Sequence, residues 1–116
     1  MSYTGSCHCG AVEFSVDADI PDEAISCNCS HCRRKGFLLT FVPGEKFVLK
    51  SGDDNLTDYR FNTKVIRHRT CSTCGCQPFA EGKDKDGNDT RMVNLRCVPD
   101  CNIEALKINH YDGASH

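Results

Sequence analysis

Seven of the ten cysteines in this 116-residue chain fall into three tight groups: Cys7–His8–Cys9, Cys27–Asn28–Cys29–Ser30–His31–Cys32 and Cys71–Ser72–Thr73–Cys74. A C-x-C or C-x-x-C pair puts two soft sulfur donors on one short backbone turn, the arrangement a thiophilic metal ion requires. Four plus three ligands suits one closed tetrahedral zinc site and one site with a ligand position left open, and an open position is where chemistry can occur. Any fold this chain adopts has to bring these groups into register.

The remaining composition fits that constraint. A chain of 116 residues with 39% apolar content makes one domain, residues 1–116, with a modest core, and metal binding helps to hold such a domain together. No apolar run approaches the length needed to cross a bilayer. The opening Met-Ser-Tyr-Thr-Gly-Ser has neither the basic nor the apolar region of a secretory signal. The expectation is a cytoplasmic protein with no membrane partner. A reducing compartment disfavours disulfides. The cysteines also cluster in chelating pairs, and side chains at C-x-C spacing on a strand point to one face and bridge poorly.

The formal net charge is −2. A four-thiolate zinc site carries about −2 and a three-thiolate site about −1, taking the metal-loaded chain to about −5. Nucleic acid requires a basic face with interleaved aromatics, so it is not expected as a partner. The one local basic run is Arg33–Arg34–Lys35.

Period-two alternation of Val12, Phe14 and Val16 with Glu13, Ser15 and Asp17 predicts a strand with one buried face. Phe37 to Val42, closed by Pro43–Gly44 and followed by Phe47 to Leu49, reads as a hairpin. Tyr59 and Phe61 alternate beyond the turn cluster at residues 51–55. The Asp86–Gly87 turn signal joins strands predicted at Gln77–Ala80 and Met92–Cys97, with Val93, Leu95 and Cys97 on one face. One helical turn is expected at Asn102 to Leu106, capped near Asn102 or Asp100, and a last strand at Lys107 to Tyr111. The sum is a mainly β, mostly antiparallel domain.

Cys7/Cys9 and Cys71/Cys74 read as halves of one structural site, with Gly75 supplying the positive φ that knuckle turns often need. Cys27, Cys29 and Cys32 cap one face of a second ion. Cys97, Cys101 or His110 could complete this site, which would make it structural. His31 sits too close to its ligand neighbours to join them. Cys76, Cys97 and Cys101 otherwise read as small buried hydrophobes. Three thiolates lower a metal's Lewis acidity, so a thiol suits the open vertex better than a hydrolytic water, and a metal-bound thiol is a nucleophile at neutral pH. Arg33, Arg34 and Lys35 could neutralise that site or grip a substrate's carboxylates.

The runs Gly5–Ser6–Cys7–His8–Cys9–Gly10–Ala11–Val12, Cys27–Asn28–Cys29–Ser30–His31–Cys32–Arg33–Arg34–Lys35–Gly36 and His68 with Cys71–Ser72–Thr73–Cys74–Gly75 resemble the glutathione-dependent formaldehyde-activating family, whose domain is shared with centromere protein V. The resemblance runs from Tyr3 to Gly113. It implies a small zinc-containing antiparallel β-tent and two zinc ions per chain. Cys7, Cys9, Cys71 and Cys74 would hold the structural zinc, and Cys27, Cys29 and Cys32 the catalytic one. The implied activity is that of a carbon–sulfur lyase joining glutathione and formaldehyde as S-(hydroxymethyl)glutathione. Arg33 and Arg34 are candidate substrate-binding residues, and His68 a candidate proton relay. Thr70, Cys76 and Cys101 depart from the family pattern without touching a ligand. A non-catalytic zinc module, binding a protein or carrying thiol adducts, is the alternative.

Overall fold

The computed structural model describes residues 2–60 and 66–115. Among these residues ten strands form two sheets, and the smaller is antiparallel throughout: β1 (Tyr3–Ser6), β2 (Glu13–Val16) and β5 (Phe47–Ser51), in the order β1-β2-β5. The larger holds β3 (Glu23–Cys27), β4 (Leu39–Pro43), β6 (Leu56–Tyr59), β7 (Arg67–Cys71), β8 (Phe79–Lys83), β9 (Asp89–Asn94) and β10 (Lys107–Tyr111). Its order is β10-β3-β4-β9-β8-β7-β6. No helix among the described residues is long and apolar enough to cross a membrane.

The core lies between the sheets. Val12, Phe14 and Val16 are fully buried, as their alternation predicts. Phe14 stacks on Phe47 at 5.1 Å between ring centroids, and Phe47 meets Phe79 of the other sheet at 4.7 Å. Burying one such ring is worth about 1.5–3 kcal/mol. Val42, Val93, Leu95 and Val98 extend the same cluster. A second cluster joins Val12 and Phe79 to Cys7 and Cys71, so two of the seven clustered cysteines are core residues.

The structure corrects several expectations. Phe37–Val42 and Phe47–Leu49 do not pair as a hairpin: β4 pairs with β3 and β9, whereas β5 pairs with β2. A 3-10 turn at Gly44–Lys46 separates them, and burial of Phe47 beneath Phe14 draws the chain across to the smaller sheet. The predicted strand at Met92–Cys97 stops at Asn94. The Asn94 side chain accepts from Arg96 N–H at 3.1 Å and starts a 3-10 turn over Leu95–Cys97, which takes Cys97 out of the face it was expected to share. Gln77 precedes β8 instead of belonging to it.

The middle cysteine group carries a helix, α1 (Ser30–Lys35). The expected turn near the C-terminus is a 3-10 segment, Ile103–Ala105; Asn102 occupies the cap position without a side-chain cap bond. The last strand, β10, runs parallel to β3 and places Tyr111 opposite Cys27. Phe61 lies outside the described residues.

Candidate metal centres and their clefts

Cys7 follows β1, Cys71 ends β7, and Cys9 and Cys74 occupy the two turns, so this four-cysteine group ties the small sheet to the large one. The four sulfurs lie within 4.8 Å of one another. Cys9 Sγ is 3.6 Å from Cys7 Sγ and 3.7 Å from Cys71 Sγ. A tetrahedron with Zn–S bonds of ~2.3 Å has edges of about 3.8 Å, so the spacing fits zinc. Val12 N–H donates to Cys7 Sγ at 3.3 Å and Asn55 Nδ2 to Cys71 Sγ at 3.5 Å, bonds that favour thiolates. Gly75 has φ 82°, and its N–H closes the knuckle on the Cys71 carbonyl at 2.9 Å.

The protonation of this group is in conflict. Backbone N–H groups of Cys76 and Cys9 hold Cys74 down to about 5. The Ala11 N–H draws Cys9 down too, but desolvation and the Cys7, Cys71 and Cys74 sulfurs outweigh it and push Cys9 up to about 12. Four sulfurs this close cannot all carry charge unaided, and a divalent cation resolves the repulsion.

The second group is built by the junction of β3 with α1. Cys27 ends the strand, Cys29 is the helix N-cap and Cys32 lies in the first turn, with the three sulfurs within 4.8 Å of one another. Cys29 Sγ accepts from Cys32 N–H at 3.3 Å, doing with sulfur what a Ser or Asp does at other N-caps. Cys27 Sγ accepts from Cys29 N–H at 3.5 Å. Burial first, and Cys29 second, push the Cys32 thiol up. Burial also acts on Cys29, but hydrogen bonds from Cys32 and Cys27 leave it lowered. Three thiols contesting protons fit a bound cation here as well.

Among the described residues, no fourth His, Cys, Asp or Glu joins this group. Cys101 is buried in the core cluster, and the Cys97 thiol points to the Gln77 carbonyl at 3.9 Å. Burial, with the Cys76, Cys7 and Cys74 sulfurs, pushes Cys97 up to about 12. His110 sits on β10 beside the cleft described below, outside the sulfur group. His31 also lies outside it, with its ring 4.1 Å from His68 and stacked on Tyr59 at 5.5 Å.

The C-terminal segment clamps the group. Asn28 N–H donates to the Tyr111 carbonyl at 3.1 Å, Asn28 Nδ2 to Asp112 Oδ1 at 3.1 Å, and Ala114 N–H to Asn28 Oδ1 at 2.9 Å. Gly113 packs so tightly that a Cβ there would overlap Cys27 Sγ and lie 3.3 Å from Cys29 Cβ.

Two clefts open from this centre, and Cys27 and Cys32 stand in the wall of both. One, of about 490 Å³, is the more polar of the two and carries Arg33, Arg96, His110 and Asp112 beside Phe37 and Leu38. Arg96 is held there by a 2.8 Å bond from its Nε to the Gly36 carbonyl. The other, of about 460 Å³, is apolar, with His68 and Gln77 as polar members of its lining. Burial first, then His31 and Lys35, pushes His68 down to about 4, so it is neutral at pH 7. Gln77 Nε2 donates to His68 Nδ1 at 3.0 Å, which leaves the ring proton on Nε2.

Of the basic candidates, Arg33 faces the polar cleft. Arg34 does not. It donates to the Ser30 carbonyl at 2.8 Å and, with Lys35, borders a separate hollow near Tyr59 and Thr70. His68 lies beside the three-cysteine group and not beside the four-cysteine one. Arg96, Gln77 and Gly113 were not anticipated: no local pattern marks them, and only the folded chain brings them to the site.

A crystal structure of a Rhodobacter sphaeroides protein shares this fold with a TM-score of 0.75 and 29% sequence identity. The match covers 91% of this chain and 99% of that one. The sequence profile of the glutathione-dependent formaldehyde-activating enzyme family matches residues 2–109. With a match spanning nearly its whole length, on a mainly β fold that assembles both cysteine groups, the chain belongs to the glutathione-dependent formaldehyde-activating enzyme family.

Proposed function

We propose that the protein is a zinc-dependent carbon–sulfur lyase that adds glutathione, or a similar thiol, to formaldehyde or another small aldehyde. The observation that carries this reading is a three-sulfur group with no fourth protein ligand among the described residues, opening onto a cleft with two guanidinium groups. Cys7, Cys9, Cys71 and Cys74 would hold a structural zinc, and Cys27, Cys29 and Cys32 a second one. A zinc ion held by three thiolates supplies affinity for a further thiol and favours its thiolate form at neutral pH.

The chain's own residues do the rest. Arg33 and Arg96 pair with the carboxylates of the thiol substrate and orient its sulfur towards the apolar side. The sulfur lone pair forms the new C–S bond as the C=O π bond opens onto oxygen. The proton lost from sulfur is matched by one gained at that oxygen, and no electrons are exchanged with a third group. His68, neutral in the apolar lining beside the cysteines, is the residue placed to pass a proton towards that oxygen. The hemithioacetal breaks down by the reverse path.

The test is exchange between glutathione and formaldehyde, followed by nuclear magnetic resonance, with metal content measured in parallel. Cys32→Ser is expected to lose the second zinc and fall to the uncatalysed rate while keeping the first zinc. A variant that holds two zinc ions and keeps wild-type enhancement would rule the mechanism out. Wild-type protein with both sites filled and no enhancement would instead make it a non-catalytic zinc module. A second expectation separates the two arginines. Arg33→Ala should raise the KM for glutathione roughly ten-fold, the worth of one charge-assisted hydrogen bond of about 1.5 kcal/mol. Arg34→Ala, bonded back to its own helix, should leave KM unchanged. Equal effects would remove Arg33 from the binding site.

A further inference from the structure

The apolar pocket is larger and greasier than formaldehyde requires. Its floor is one continuous cross-strand row of the large sheet. Phe41 pairs with Met92, Met92 with Ala80, and Ala80 with His68. Residues directly opposite one another across strands share a face. The other face of the same strands supplies Val42, Val93 and Phe79 to the core. An antiparallel sheet with one face on the core ordinarily turns polar residues outward. Here the second face is apolar until it reaches His68. Ile25 and Leu39, a paired position on the neighbouring strands, continue it towards Cys27.

A second observation concerns the mouth. Five large hydrophobic side chains stand exposed among the described residues, and Phe41, Ile66 and Tyr111 line this pocket. Exposed apolar groups gathered round a concavity mark a binding site more often than chance scatter does. The volume of about 460 Å³ lies within the ~300–1,000 Å³ of small-molecule sites. A one-carbon aldehyde would leave nearly all of it unfilled.

Resting on the lyase reading above, we infer that the aldehyde half of the preferred substrate carries an apolar chain or ring, of about six carbons, which lies along the Phe41–Met92–Ala80 row. The polar cleft then takes the thiol's carboxylates, and the new C–S bond forms between the two compartments, beside Cys27 and Cys32. The bond changes are those given above, with hydrogen on the carbonyl carbon replaced by the chain.

Two measurements test this on the zinc-loaded protein. The first compares kcat/KM for glutathione exchange with hexanal and with formaldehyde, each corrected for its uncatalysed rate. Hexanal is expected to be favoured by ten-fold or more, since each fully buried methylene is worth about four-fold. Phe41→Ala, at a side chain 53% exposed and so removable without opening the core, is expected to lower that ratio several-fold. The second measurement is calorimetric titration with S-hexylglutathione and S-methylglutathione, which needs no turnover. The hexyl derivative is expected to bind at least ten-fold more tightly. Equal binding of the two derivatives overturns the inference, as does formaldehyde matching or exceeding hexanal, and either leaves the addition reaction standing. No acceleration with either aldehyde overturns the addition reaction and this inference with it.

Discussion

Cys71→Ser is expected to unfold the protein, not merely to weaken its chemistry. Cys71 ends β7, is 1% exposed, and packs with Val12 and Phe79 while its sulfur faces Cys9 and accepts from Asn55. Its partner Cys7 directly follows β1 of the other sheet, so a metal ion here would cross-link the two sheets. Structural zinc sites are worth roughly 10–16 kcal/mol in zinc-finger peptides, against a total stability of about 5–15 kcal/mol for a domain. Loss of one ligand should therefore cost much of the native state. The sulfurs of buried Cys7, half-buried Cys74 and exposed Cys9 would be left contesting protons, which adds to the cost. The expected result in a thermal melt followed by circular dichroism is no cooperative transition, or one lowered by tens of degrees. A strong chelator should do the same to the wild type. A Cys71→Ser variant that melts within a few degrees of the wild type would show that packing alone holds the sheets together. Cys32→Ser is the contrasting case, since its group lies at the rim of one sheet and links no two layers.

Gly113→Ala is expected to disable the second centre while leaving the first intact. The added methyl would overlap Cys27 Sγ and crowd Cys29 Cβ. Neither side can give way cheaply. Gly113 is pinned by the parallel pairing of β10 with β3 and by the Asn28 bonds to Tyr111, Asp112 and Ala114. Cys27 in turn is the last residue of β3. Disturbing the support of a metal ligand ordinarily costs 10–100-fold in affinity, and about that loss is expected for the second zinc. Competition against a graded chelator would read it as one tight and one weakened equivalent. The thermal transition should stay near that of the wild type, because the core is not touched. Two equally tight equivalents would show that the C-terminal segment does not support the site.

Much of the candidate site was legible because metal ligation is local. Pairs at C-x-C and C-x-x-C spacing are brought together by a single turn, whatever the rest of the chain does. The buried face of Val12, Phe14 and Val16 was legible for the same reason, as alternation needs no knowledge of the partner strand. The errors lie where a partner had to be chosen. β4 and β5 are adjacent in sequence and both apolar, yet Phe47 gains more by packing between Phe14 and Phe79 than β5 would by pairing with its neighbour. The helix α1 was hidden because its cap is a cysteine sulfur and its six residues show no apolar stripe.

The basic run shows the limit most plainly. Arg33 and Arg34 are adjacent in sequence, but consecutive helical positions diverge by about 100°. One faces the cleft and the other turns back to Ser30. The second cation at the cleft, Arg96, comes from a turn sixty residues away and is aimed by the Gly36 carbonyl.

By itself the sequence determined two cysteine pairs and one group of three, because backbone turns bring near neighbours together at little entropic cost; joining Cys9 to Cys71 across 62 residues took the packing of the two sheets. Only the tertiary structure decided what surrounds the open group of three. Its polar cleft, its apolar sheet face and its C-terminal clamp are assembled from strands far apart in the chain, and long-range packing selects those contacts.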